Sequence, residues 1–379
     1  MTVHTFRRFG TLLAAFALVL AACGSDDGDT ETGAQVSEDA PTIVVTTNIL
    51  GDVVTELVGD QANVVTIMPV GADPHDFQPS AQEVDQILSA DALITNGTNF
   101  EEGLLDVIDS ASDEGVPTFE ATSAVETIEF GGGGHDDHGH GDDHDDHEDE
   151  EGHKDDEDGH DHDEEEGHDD EEGHDHDEDE EHKDDEEGHD DHGDDEHGHA
   201  HDGDDPHFFT DPVRMTDVVA GISAFLSAEV DGLDTAALDT AAADYTAELE
   251  ALDAEVRSLV EDIPADSRIL VTNHEVFGYF ADQYGFEVVG AVIPSGSTVD
   301  GASAGDLAEL AETIEEEGVK AIFSDASSSD NLIEALAAEV GDVEVVELYT
   351  ESLGESGSDG GTYLDMVRTN ATRISAALG

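Results

Sequence analysis

Three histidines stand apart from the rest of this 379-residue chain. Of its 21 histidines, 17 lie between Gly131 and Asp205 and His4 sits near the start. The remaining three, His75, His207 and His274, are scattered along sequence of ordinary globular character. Each follows a predicted strand or opens a helix, where pocket residues gather in α/β proteins. Any one alone reads as a capping or surface histidine. Three together, in a chain that also carries a His-rich tract, point to imidazole ligation of a metal ion.

The elements that must position them alternate in type. Thr42–Thr46, Asn63–Met68, Ala92–Thr95 and a short stretch near Pro117–Phe119 read as buried strands. Ile49–Val58, a Ser80-capped segment to Ser89 with Glu83 completing a capping box, and Phe100–Ser110 read as the intervening helices. Pro212–Val230 and Thr235–Ile263 are helical, the second long and free of Gly and interior Pro, as a rigid connector would be. A second set follows: strands at Arg268–Thr272, Glu287–Val292, Lys320–Ser324 and Val343–Leu348, with helices at Val276–Tyr284, Ala304–Glu317, Asn331–Glu339 and Tyr363–Leu378. The pattern predicts an α/β protein of two β/α lobes, each with a parallel-rich sheet, joined by the connector helix and enclosing a cleft. In numbers, the first lobe covers 41–130 and 206–234, the connector 235–263 and the second lobe 264–379.

Composition sets the limits. With 99 acidic against 10 basic side chains the formal net charge is −89, which argues against a nucleic-acid partner. One cysteine excludes both a disulfide framework and a cysteine-based zinc cluster within one chain. Gly131–Asp205 holds 41 acids, 17 His and 14 Gly in 75 residues, with no large apolar side chain, and is expected to be a disordered loop. It reads either as a collector of zinc at many weak sites or as a solvated spacer. The histidine content, beyond anything solubility requires, favours the collector. No window in it has the ligand spacing of an EF-hand.

At the N-terminus, Arg7 and Arg8 precede 11 apolar residues from Leu12 to Ala22, too few to span a bilayer but suited to a signal peptide over 1–22. Leu20-Ala21-Ala22-Cys23 resembles a bacterial lipobox, which implies lipidation of Cys23 and a polar tether over 23–40. The expected location is the extracytoplasmic face of the cell membrane, held by the lipid.

Three stretches carry a family resemblance. Met68-Pro69-Val70-Gly71-Ala72-Asp73-Pro74-His75-Asp76-Phe77-Gln78-Pro79-Ser80 resembles the first metal-binding motif of the zinc/manganese solute-binding proteins of ABC importers. Asp205-Pro206-His207-Phe208-Phe209-Thr210-Asp211-Pro212 resembles the second, and Val271-Thr272-Asn273-His274-Glu275-Val276-Phe277-Gly278-Tyr279-Phe280-Ala281 the third. The resemblance spans Pro41 to Gly379 apart from the tract. It implies a fourth ligand, a carboxylate after the last strand, and Glu351 occupies that slot, with Asp325 in Phe323-Ser324-Asp325 as the nearest competitor. It further implies an ABC permease and its ATPase as partners of a monomeric receptor.

Three neutral imidazoles and one carboxylate suit tetrahedral Zn²⁺, with Zn–N near ~2.0–2.1 Å. Manganese prefers harder oxygen donors, and the manganese-binding relatives usually carry an acid where His274 stands, so zinc is the expected cargo and Mn²⁺ its competitor. Four protein ligands leave no open position for an activated water. No His-Glu-x-x-His or Walker A motif occurs, so the chain is read as a binding protein rather than an enzyme. The expected function is capture of Zn²⁺ in an interlobe cleft by His75, His207, His274 and Glu351, and delivery to a permease. The alternatives are a Mn²⁺/Fe²⁺ import receptor, or a zinc-buffering or adhesion lipoprotein without a transporter.

Overall fold

The computed structural model describes residues 40–130, 203–329, 331–341 and 343–379. The signal segment, Cys23, the tether up to residue 39 and residues 131–202 of the tract lie outside the described residues. Gly203–Asp205, expected to belong to the disordered loop, are instead ordered: Asp204 bridges to Glu129, and the buried Asp205 donates its N–H to Ile128 (2.7 Å).

The first lobe is built from β1 (Thr42–Val45), α1 (Asn48–Val58), β2 (Asn63–Thr66), α2 (Ala81–Leu88), β3 (Ala92–Thr95), α3 (Leu105–Glu114), β4 (Thr118–Glu120) and α4 (Pro212–Glu229). α5 (Thr235–Glu261) leads to the second lobe: β5 (Ile269–Thr272), α6 (Gly278–Tyr284), β6 (Glu287–Ala291), α7 (Ala304–Glu317), β7 (Ala321–Asp325), α8 (Asn331–Val340), β8 (Glu344–Leu348) and α9 (Tyr363–Leu378). Each lobe has one four-stranded parallel sheet, in the orders β2-β1-β3-β4 and β6-β5-β7-β8. The two orders are equivalent. In both, the chain reverses its direction of growth beside the lobe's first strand, the place where open parallel sheets make a binding crevice.

Burial follows from the strand sequences. Val44 and Leu93 face one side of the first sheet, while Ile43, Val45, Ala92 and Ile94 face the other. The outer faces have separate cores, for example Val44, Leu93 and Ile87 in one lobe and Val271, Ile322 and Ile314 in the other. The inner faces share one continuous core. It runs from Ile43 and Val54 through Tyr245, Leu249 and Val256 of α5 to Phe280, Phe323, Met366 and Ile374. α5 buries a stripe at helical spacing, Leu238, Ala242, Tyr245, Leu249, Leu252, Val256 and Val260, so it is a packed spine rather than a solvent-exposed strut.

Two predicted helices begin later than the sequence suggests. In place of a helix from Phe100, the chain first makes a left-handed loop at Gly97, Thr98 (φ 54°) and Asn99 (φ 58°), then a short helical turn at Glu102–Leu104. The loop wraps the buried carboxylate of Glu101, which accepts from the backbone N–H groups of Asn96 (2.6 Å) and Gly97 (3.3 Å) and from the Thr46 hydroxyl (2.5 Å). These bonds keep the chain from entering α3 until Leu105. Burial still pushes Glu101 above the usual carboxylate range. α6 starts at Gly278 rather than Val276, because the backbone of His274 and Glu275 is committed elsewhere. The His274 carbonyl accepts from Val276 N–H (2.9 Å) and from the Thr272 hydroxyl (2.7 Å), and Glu275 N–H donates to Ser295 (3.0 Å).

A shared inner core predicts cooperative unfolding. Leu249→Ala should destabilise the protein by about 2–5 kcal/mol, as large-to-small changes in packed cores do. Both lobes should melt in one calorimetric transition that moves as a unit. Two transitions, only one of them shifted, would contradict the continuous core.

Candidate metal centre

Four loops deliver the candidate ligands. His75 lies in the loop after β2, where Asp73 Oδ1 accepts its backbone N–H (3.0 Å) in an Asx turn. His207 lies just before α4 in a second Asp-Pro-His, and Asp205 Oδ1 accepts its N–H at 2.8 Å. His274 follows β5. Glu351 follows β8, where Asn370 of α9 holds Tyr349 by both backbone groups (3.0 and 2.6 Å).

The Glu351 loop is pulled across the cleft. Its neighbour Ser352 accepts from Asn48 Nδ2 (3.1 Å) and Gly71 N–H (2.7 Å), and Leu353 N–H donates to Asn48 Oδ1 (2.8 Å). Asn48 and Gly71 belong to the first lobe. The loop is therefore tied to the lobe that carries His75 and His207.

The result is a convergence on one atom. Glu351 Oε1 lies 2.8 Å from Nε2 of His75, 3.1 Å from Nε2 of His207 and 3.1 Å from Nε2 of His274. One candidate ligand atom from each of the four residues falls within 4.8 Å of the others, and all four residues are buried. Asp325 is also buried but spends its carboxylate on Ser327, accepting from its backbone N–H and hydroxyl (both 2.8 Å), and is not among the converging four. Nε2 of His274 and Oε2 of Glu351 are buried without a hydrogen-bond partner. Nitrogen and oxygen donors gathered this closely, some of them without a hydrogen bond, fit a divalent cation, whose bonds would replace the missing ones.

Electrostatics agree. Burial pushes Glu351 up, but His274, His75 and the hydrogen bond from His207 outweigh it and hold the carboxyl well below its usual range. Burial disfavours the His207 cation, yet Asp205 and Glu351 together push that imidazole up to about 9. His75 is raised too, with Glu351 prevailing over burial. The negative charge at the centre demands positive charge around it, which protons supply until a metal does.

Two supporting residues were not assigned roles from sequence. Asp205 Oδ1 also takes Nδ1 of His207 (2.7 Å), fixing the ring so that Nε2 faces the centre. The repeated Asp-Pro-His was the available signal. Phe100 packs edge-on against His75 and His207, with centroids 5.2 and 5.5 Å away, and walls the site. Nothing in its sequence neighbourhood marks it, because the left-handed loop that aims it is a tertiary feature.

The family model described as zinc-uptake complex component A, periplasmic, matches residues 43–377. The chain belongs to this family. Its members are the metal-binding, substrate-binding components of ABC metal transporters, and work with a permease and an ATPase. The chain is 42% identical to the zinc-binding protein TroA of Treponema pallidum over 139 residues, 35% of this chain and less than half (44%) of TroA. It is 22% identical over 374 residues to the manganese-binding lipoprotein MntA of Halalkalibacterium halodurans, 98% of both chains. Among solved structures, Treponema TroA superposes with a TM-score of 0.67 at 24% identity, over 90% of this chain and 99% of TroA. The manganese-bound periplasmic protein of Candidatus Liberibacter asiaticus gives 0.64 at 17% identity, over 89% and 100%. The two-lobed α/β fold is thus that of the family's solute-binding proteins.

Two outcomes follow for this candidate metal centre. Asp205→Asn should weaken metal binding by roughly 10–100-fold, the usual cost of removing a carboxylate behind a ligating histidine. Titration calorimetry on wild type and variant checks it, and equal affinities would contradict the supporting role. Metal ligation requires neutral imidazoles, and His207 holds its proton up to about 9. Affinity should therefore fall as pH drops from 9 towards 6, with protons released on binding. A pH-independent affinity over that window would contradict this.

Proposed function

We propose that this family member captures Zn²⁺ in its interlobe cleft and hands it to an ABC permease for import. The observation that carries the reading is the meeting of three imidazole nitrogens, drawn from both lobes, on a single carboxylate oxygen at 2.8–3.1 Å. Such a donor set favours zinc over manganese by both ligand hardness and affinity order. The ligands are His75, His207, His274 and Glu351, with the ion as cargo. Bound there, it bridges the lobes, since His75 and His207 come from one and His274 and Glu351 from the other. Four protein donors fill a tetrahedral shell, which suits retention rather than hydrolysis. The spine-like packing of α5 supports modest lobe movement on release rather than wide hinge opening.

Lipidation of Cys23 would hold this receptor at the outer face of the membrane, beside its permease. The His-rich tract would collect zinc near the cleft. The described residues on either side of it meet there: Glu129 and Asp204 form an antiparallel bridge, and Phe130 and Gly203 line the cleft.

Full-length similarity to MntA favours a second reading, a manganese cargo. Competition separates the two. A variant lacking residues 135–202, leaving Asp205 in place, is titrated with Zn²⁺ in the presence of excess Mn²⁺. The zinc reading expects one tight zinc that manganese does not displace and that His274→Ala abolishes. Displacement by manganese at comparable concentration would assign the cargo to manganese, and no tight metal at all would refute the site.

A further inference from the structure

His75 differs from the other three ligands in where it lies. A cleft of ≈ 810 Å³ between the lobes is lined by His75, and none of His207, His274 or Glu351 reaches its surface. Both groups that position His75 are held from the opposite lobe. Asp73, which takes the His75 backbone N–H with Oδ1, accepts the Thr298 hydroxyl with Oδ2 at 2.6 Å. Glu102, whose Oε1 lies 3.2 Å from the buried Nδ1 of His75 as an ion-pair contact without a directed hydrogen bond, accepts the Ser297 hydroxyl with that same oxygen at 2.6 Å. Ser297 and Thr298 are consecutive, in the loop between β6 and α7 of the second lobe. This loop is itself braced, with Ser297 N–H donating to the Ser295 hydroxyl (3.1 Å) and Ser295 donating to Asp300.

We propose that Ser297 and Thr298 form a two-point latch that closes on His75 through Glu102 and Asp73, and that opening this latch is the step by which the cleft gives up its ion. The inference rests on the metal-centre reading above. Glu102 and Asp73 are positioning residues: Glu102 faces Nδ1 of the imidazole at ion-pair distance (3.2 Å), where a carboxylate commonly stands behind a ligating histidine, and Asp73 fixes its backbone. Because each carboxylate is shared with a hydroxyl of the other lobe, separating the lobes at this rim withdraws both supports from His75 at once. The other ligands depend on the rim less, the one rim bond among their supports being that from Gly71 N–H to Ser352 beside Glu351. Nδ1 of His207 is held by Asp205, from the same short segment, and the Glu351 loop is anchored deeper, at Asn48. The ligand nearest solvent is thus the one whose support crosses the cleft mouth, which makes His75 the first to leave.

The experiment follows zinc release from the purified chain, insertion included, into excess chelator by stopped flow. The slow phase that His274→Ala removes reports the cleft ion. Glu102→Gln and the double change Ser297→Ala with Thr298→Val should each speed that phase by roughly 10–100-fold, the range for losing a ligand's outer support. Thr298→Ser, which keeps the hydroxyl, should release at the wild-type rate. Combining Glu102→Gln with Ser297→Ala should be no faster than Glu102→Gln alone, because both remove one link. The melting temperature of the metal-free variants should stay at the wild-type value, separating a latch from general support of the fold. Wild-type release rates in both Glu102→Gln and the Ser297/Thr298 double variant would overturn the latch while leaving the metal centre standing. A wild-type chain with no slow, His274-dependent phase would overturn the centre, and the latch with it.

Discussion

Everything in this molecule is arranged around one buried negative charge. Glu351 Oε1 sits within 3.1 Å of three imidazole nitrogens in a fully buried setting. Removing a carboxylate from water costs several kcal/mol unless nearby positive charge offsets it. Imidazoles can offer that charge as protons, or relay it from a metal ion. The carboxylate thereby keeps the site intact when empty and ready to exchange protons for a cation. It also dictates the architecture, since the charge arrives from the second lobe and two of its partners from the first.

Holding four loops to that geometry across a cleft needs rigid backing. The continuous inner core through α5 supplies it, with Tyr363 adding cross-lobe bonds from its N–H to Asp52 (2.8 Å) and from its hydroxyl to Phe209 (2.9 Å). Tyr279 does the same, its hydroxyl donating to the Asp205 carbonyl (2.8 Å) directly beside His207. A protein so fastened along its back can move most cheaply at its rim, where the contacts between lobes are a few hydroxyl–carboxylate bonds at the surface. Retention and release are then divided between different parts of the fold.

Where chemistry is local, the sequence was readable. The capping box of Ser80 and Glu83, the bounds of α7 and α9 and the Ala92–Thr95 strand depend on neighbours within a few residues, and all appear as their patterns suggest. The histidines were legible because three imidazoles outside a low-complexity tract are hard to explain otherwise. Glu351 was legible only through family resemblance, since among so many acids nothing local marks it. The late starts of α3 and α6 were not readable. Each depends on a buried side chain or a neighbouring strand claiming backbone groups that a helix would have used. Asp205 and Glu102 escaped notice for the same reason, their importance lying in which ring nitrogen they face rather than in their spacing.

In the proposed centre one divalent ion is held by His75, His207, His274 and Glu351 together. Crystals grown with one equivalent of zinc and measured at the zinc absorption edge test it most directly. The expected result is a single strong anomalous peak in the cleft, ~2.0–2.1 Å from each of the three Nε2 atoms and bonded to Glu351. A cleft without anomalous signal, or an ion there bound by water and Asp325 in place of the histidines, would contradict it.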